Sequence, residues 1–206
     1  MILAFIIGAF VYKNYRAQEL DFMARENASI FVREHSRTLG PDDAKVYLVE
    51  FTDPACETCA AFHPFTKQLM AAHPGKIKIV LRYAPFHSGS DLVVKAIEAA
   101  GRQDKYWETL ELMFASQEYW AVNHAVAPER LWEVLAQAEL DLERLRVDMN
   151  DPAIASIIAQ DLADAGTLKV QKTPGFFVNG KPLVSFGYQQ LQQLVESEVQ
   201  AAYPNQ

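Results

Sequence analysis

The chain has 206 residues, of which 50% are hydrophobic, 22% charged and 11% aromatic, and its formal net charge is −7. That length suits one elaborated domain with enough apolar material for a core. The acidic balance, with no block of Lys and Arg, leaves no electrostatic footprint for nucleic acid. Two cysteines are too few to staple a small secreted scaffold, so their close spacing points to redox or metal chemistry.

The first segment reads "MILAFIIGAFVYKNYRAQ". A helix over its apolar residues 2–12 rises only about 17 Å, against roughly 30 Å of hydrocarbon. No basic region precedes it and no A-x-A cleavage site follows, so residues 1–16 read as a short membrane anchor rather than a cleavable signal. Lys13 and Arg16 run against that reading, because the positive-inside rule places them in the cytosol. The competing reading is a hydrophobic first helix packed on the domain. Leu20, Met23, Ala24, Ala28 and Phe31 then recur at helical spacing, which predicts an amphipathic lead-in helix and linker over 17–39. Gly40–Pro41 breaks it.

"KVYLVEF" is a strand by composition and length. From about Cys56 to His73 a helical stripe carries Phe62, Phe65, Leu69 and Met70. "KIKIVLRYAP" is a second strand, stopped by Pro85. Strand, helix and strand at this spacing make a right-handed parallel crossover. Both strands then end at one sheet edge, where sites in open α/β folds gather. The cysteines, after the first strand, are therefore expected beside "APFH", after the second.

Residues 91–166 read as helical nearly throughout, with Trp107, Trp120 and Trp132 as expected core anchors. The helix that opens on Pro152 is expected to close on Gly166. "GFFVNGKPLVSF" carries a hairpin signal at Asn179–Gly180, and "YQQLQQLVESEVQAAY" is a terminal amphipathic helix. The order is that of an α/β sheet with a helical cap.

The stretch "FTDPACETCAAF", residues 51–62, holds both cysteines. The thiolate is the reacting form of a cysteine, and a helix N-terminus favours it through free N–H groups and the positive dipole end. Cys56 falls where the strand has ended and the helix begins, with Asp53–Pro54 as a helix-start signal. Cys59 lies one turn inward, placed to attack a mixed disulfide formed at Cys56. The pattern asks for one exposed attacker and one sheltered resolver.

"VEFTDPACETCAAF" together with "VQKTPGFFVNGKPL" resembles the DsbA-like branch of the thioredoxin superfamily, over about residues 40–203. The resemblance implies a thioredoxin fold built from 40–90 and 167–206, with a helical domain, 91–166, inserted between its β-α-β half and its hairpin half. It implies Cys56 as nucleophile, Cys59 as buried resolving thiol, and Thr173–Pro174 as a cis-proline loop that packs on the pair and binds substrate backbone. It implies no cofactor beyond the redox-active Cys56–Cys59 disulfide. The partners implied are cysteine-containing exported proteins and a membrane protein that re-oxidises or re-reduces the pair, in the periplasm.

Glu50 shares a strand face with Val46 and Leu48, and a buried carboxylate is costly unless paired or neutral. Family members carry an acidic residue six before the first cysteine, so Glu50 is expected as a proton shuttle for Cys59, with Lys78 on the adjacent strand as its partner. Strongly oxidising members place a histidine beside the resolving cysteine, where this chain has Glu57–Thr58. With Asp53 nearby, negative charge disfavours a thiolate and predicts a weaker oxidant. The alternative function is a metal- or copper-handling protein using Cys56, Cys59 and His63, with His87 as a remote fourth ligand. Structural zinc wants four ligands and no second cysteine pair exists, so no metal is expected.

Overall fold

The structure, a computed structural model, describes Gly8, Tyr12 and residues 28–204. Apart from those two residues, the expected anchor over 1–16 lies outside the described residues, as does the expected lead-in helix up to residue 27. Among the described residues no helix is long and apolar enough to cross a membrane. The chain runs α1 (Ala28–Phe31), β1 (Arg37–Leu39), β2 (Val46–Thr52), α2 (Glu57–Ala72), β3 (Ile77–Tyr83), α3 (Ser90–Gly101), α4 (Tyr106–Ala115), α5 (Gln117–Trp120), β4 (Ala121–Val122), β5 (Ala125–Val126), α6 (Pro128–Leu135), α7 (Leu142–Asp148), α8 (Pro152–Thr167), β6 (Gly175–Val178), β7 (Lys181–Pro182) and α9 (Tyr188–Ala202). The described residues divide into two compact units, one of those up to 50 with 65–81 and 175–204, the other of 51–64 and 82–174.

The first unit is built on a sheet of order β1-β3-β2-β6-β7. Every residue of β3 is buried, and all of β2 except Tyr47, as suits central strands covered on both faces. The N–H of Val46 donates to Lys76 O at 3.2 Å and that of Ala84 to Thr52 O at 2.8 Å. Matching ends of β2 and β3 therefore lie side by side, and the two strands are parallel. β1 pairs antiparallel with β3, Arg37 opposite Leu81. This three-residue strand falls inside the segment expected as linker, and it is too short to show an alternating pattern. Asn179 and Gly180 take φ of 48° and 81°, the two left-handed positions of a type I′ hairpin turn. The Asn179 side chain accepts the Tyr47 N–H at 2.8 Å, and its own N–H donates to Tyr47 O at 3.0 Å. The hairpin is thereby fastened to β2.

The second unit is mostly helical. Buried Arg82 donates to Asp161 at 2.6 and 2.9 Å and to Asp164 at 2.6 Å, which ties the end of β3 to α8. Of the three tryptophans only Trp120 is fully enclosed, its indole N–H donating to Met113 O at 2.9 Å. Trp107 and Trp132 are half-buried, and Trp132 lies under the Arg146 guanidinium at 4.5 Å. Helix α8 starts as expected, with Asp151 accepting from Ala153 N–H at 2.7 Å and Pro152 in the first turn. It does not close on Gly166; it runs to Thr167, and Lys169 takes the left-handed conformation at φ 54°. A small hairpin, β4–β5, interrupts the helices. Its turn residues, Asn123 and His124, have φ of 51° and 60°, again the type I′ pattern. The sequence reading missed it, because four strand residues around Asn-His give little signal. Gly89 faces this hairpin at φ 77°, and a Cβ there would stand 3.1 Å from Val126 Cβ.

This unit is larger than the expected insertion of 91–166. It takes in the end of β2, the first turns of α2 and the loop that precedes β6. Cys56, Cys59, Thr173 and Pro174 thus all belong to one unit.

Candidate active site

Between Thr52 and Glu57 the chain leaves β2 and turns into α2. The Cys56 N–H closes the turn on Asp53 O at 3.0 Å, and Cys56 O accepts the first helical bond, from Ala60 N–H, at 3.1 Å. Cys56 is therefore the N-cap of α2, with its sulfur at the end of the helix where backbone N–H groups lack intrahelical partners. Its thiol is drawn down to about 5 from an ordinary 9.0. A hydrogen bond from the Cys59 thiol contributes most; burial opposes it; the Thr173 side chain and the N–H groups of Cys59 and Thr58 add to the lowering. The Cys56 thiol also donates to Thr173 O at 3.3 Å. That contact favours the protonated form, so the donors around the sulfur outweigh it.

Both cysteines are thiols. Cys59 is fully enclosed and Cys56 is 6% exposed. The order of exposure is the expected one, but the attacking sulfur is far less open than the sequence reading supposed. The reason is the close approach of residue 173, whose carbonyl sits on the sulfur. The Thr173–Pro174 bond is cis.

Asp53 carries more of the site than a helix-start signal would. It is fully buried. Its Oδ1 accepts the Ala55 N–H at 2.9 Å and the Ser90 hydroxyl. Its Oδ2 accepts the N–H groups of Phe86 at 2.7 Å and His87 at 2.9 Å, and faces His87 Nδ1 at 2.7 Å. The loop after β3 does lie beside the loop after β2, as the parallel crossover requires. The Asp53 N–H points at Cys59 Sγ, 3.4 Å away. Gln117, buried on α5, donates to Pro54 O at 2.6 Å and to Cys56 O at 3.1 Å. The negative charge expected to oppose the Cys56 thiolate is thus spread over donors, and the thiol stays low.

The structure gathers Cys56, Cys59 and Thr173–Pro174. Glu50 is fully buried in β2 among Leu48, Val49 and Phe51. The ammonium of Lys78, expected beside Glu50, binds Asp42 at 2.6 Å and holds that carboxyl below the usual carboxylate range. His63 is buried against the Phe114 ring, centroids 5.1 Å apart. Among the described residues no group of three or more His, Cys, Asp or Glu side chains is placed to hold a metal ion. Sequence reasoning missed the roles of Asp53, His87, Ser90 and Gln117. One signal was available: an acidic residue three before the first cysteine, and a His and a Ser in the loop that shares its sheet edge.

The sequence profile of the thioredoxin family matches residues 33–197. The chain is 34% identical over 144 residues to a Na(+)/H(+) antiporter NhaA of Herminiimonas arsenicoxydans, covering 70% of this chain. It spans only 22% of that relative's length. It is 26% identical over 202 residues to a probable disulfide bond formation protein D of Bacillus anthracis, covering 94% of this chain and 90% of the relative. Among solved structures it resembles a thioredoxin-like oxidoreductase from Silicibacter pomeroyi, with TM-score 0.72 and 28% identity, covering 83% of this chain and 96% of that one. Oxidised BdbD of Bacillus subtilis matches with TM-score 0.69 and 26% identity, covering 80% of this chain and 93% of that one.

Proposed function

The chain belongs to the thioredoxin family, and on that premise we propose that it is a thiol–disulfide oxidoreductase acting through Cys56 and Cys59 on cysteines of exported proteins. The observation that carries this reading is the state of Cys56: a helix N-cap thiol brought down to about 5, with its resolving partner one turn inward. In the oxidising direction a substrate thiolate attacks Cys56 Sγ of the Cys56–Cys59 disulfide and expels Cys59 as thiolate. A second substrate thiolate then attacks the substrate sulfur of the mixed disulfide and expels Cys56. The substrate leaves with a new disulfide, and the protein keeps two electrons as a dithiol. A low-pKa Cys56 is a good leaving group, and its stability as thiolate favours the reduced protein.

The level of that thiol supports the oxidising direction. Attacking cysteines of the family run from about 7 in thioredoxin to about 3.5 in the strong oxidant. A value of about 5 supports a potential between roughly −270 and −120 mV, and net oxidation of substrates in a compartment outside the reducing cytosol. A periplasmic site, tethering through residues 1–16, and a membrane partner that recycles the pair belong to this reading. The Thr173 backbone beside Pro174 is the assigned seat for the substrate peptide, since a nearly enclosed sulfur requires the substrate to be held close. Glu50, buried on the strand that leads into the pair, is assigned to proton transfer with Cys59.

Equilibrating the pair against glutathione and counting thiols tests the reading. The expected result is full interconversion of one disulfide and two thiols, with a potential in that window. A pair that stays reduced across the titration and retains metal on purification favours the metal-handling alternative.

A further inference from the structure

His87 stands outside the exchange chemistry just described, yet the structure connects it to both sulfurs through Asp53. The Asp53 carboxylate already accepts two backbone N–H groups on Oδ2, so the ring nitrogen facing that oxygen at 2.7 Å carries its proton on Nδ1. This fixes the tautomer as a carboxylate fixes it in hydrolytic triads. The rest of the ring reaches outward: the side chain is 25% exposed and stacks on His124, centroids 5.7 Å apart. On the inner side Asp53 holds both cysteines by its backbone. Its carbonyl accepts from Cys56 N–H at 3.0 Å and its N–H donates to Cys59 Sγ at 3.4 Å.

We propose that His87 is a positioning residue for the thiol–disulfide equilibrium: its Nδ1–H clamps the Asp53 carboxylate, and the clamp keeps the Asp53 N–H aimed at Cys59 Sγ. The inference rests on the exchange reading above. When a substrate thiolate attacks Cys56 Sγ of the disulfide, the Cys56–Cys59 bond breaks and Cys59 leaves with the electron pair as a thiolate. An N–H directed at Cys59 stabilises that thiolate as it forms. Removing the Nδ1–H acts twice in one sense. It loosens the loop that aims the donor, and it leaves the carboxylate charge beside the sulfurs less compensated. Both effects disfavour thiolates, destabilise the dithiol relative to the disulfide, and make the protein a weaker oxidant.

The contribution asked of His87 is a hydrogen bond, and this can be tested. Asn in its place sets an amide N–H near the position of Nδ1; Ala removes the donor. The whole protein and its His87→Ala and His87→Asn variants are equilibrated with glutathione, and the rate of thiol alkylation is followed against pH on the same samples. His87→Ala is expected to shift the equilibrium about fivefold to tenfold toward the disulfide, the size of one ordinary net hydrogen bond, and to move the alkylation profile to higher pH. His87→Asn is expected to restore most of both. Ser90→Ala, which removes the hydroxyl from Oδ1, provides a gentler probe where His87→Ala folds poorly, and should shift both readouts less in the same sense. An unchanged equilibrium and pH profile in His87→Ala, or Asn doing no better than Ala, overturns the proposal. An unmodified protein whose pair does not exchange with glutathione overturns the exchange reading instead.

Discussion

The helical unit holds two buried polar clusters that solve the same problem differently. Around Arg82 a guanidinium meets two carboxylates, and Arg82, Asp161 and Asp164 are at most 3% exposed. Around Asp53 a single carboxylate is met by backbone N–H groups, a hydroxyl and an imidazole. The first cluster is closed and touches no sulfur. The second opens to solvent at His87 and hands its backbone to both cysteines. Opposite charges in contact make a rigid brace, whereas a carboxylate held by backbone, hydroxyl and imidazole donors can steer neighbouring thiols. The two clusters should therefore fail in different ways.

The largest contrast comes from the sulfurs. Cys56→Ser should abolish disulfide exchange in an assay with a reduced test protein, while Cys59→Ser, given a disulfide-bonded test protein, should attack it through Cys56 and accumulate mixed disulfides visible by mass. Neither variant should lose more than about 1 kcal/mol relative to the dithiol form in denaturant unfolding below pH 5, where Cys56 is protonated folded and unfolded alike. Arg82→Met reverses the pattern. It leaves Asp161 and Asp164 buried without the guanidinium and should cost about 3–5 kcal/mol, read as a lower denaturation midpoint. The folded fraction should keep its glutathione equilibrium within about twofold, because no sulfur contacts that brace.

Glu50→Gln should slow turnover by about a hundredfold, the lower end for a lost acid–base group, with little change in unfolding. An unchanged rate removes Glu50 from the mechanism. Stability should also depend on pH. The folded dithiol protein releases the Cys56 proton near 5, while the ordinary value is 9.0. Between these pH values the unfolded chain binds the extra proton, so stability rises with pH across that window, is complete above it, and is lost as pH falls through 5. The difference in melting temperature between the reduced protein and Cys56→Ser should open over that range and vanish below it.

Much of this architecture was legible because it rests on short-range patterns. The cysteine spacing after "KVYLVEF" placed the pair at a strand end and helix start, and Asn179–Gly180 marked its hairpin. Parallel-crossover geometry put "APFH" beside the cysteines before any coordinate did. The polar detail was harder to see. Asp53 read as a local helix signal and a source of repulsion, because its partners Phe86, His87 and Ser90 come from another loop and backbone donors leave no mark in composition. Cys56 read as open, since nothing local told how closely Thr173 would cover it. Lys78 read as a partner for Glu50 on strand adjacency alone, while Asp42, in the loop before β2, binds it. The β1 and β4–β5 strands were too short for a period-two pattern.

The central claim is that the first sulfur of the pair is ionised at neutral pH, and it is tested most directly by titrating the thiolate absorbance of the reduced protein, with Cys56→Ser as the blank. A single transition with its midpoint near 5 is expected. A midpoint near 9.0, the ordinary thiol value, would show that the helix end, Cys59 and Thr173 do nothing for the sulfur, and would contradict the account.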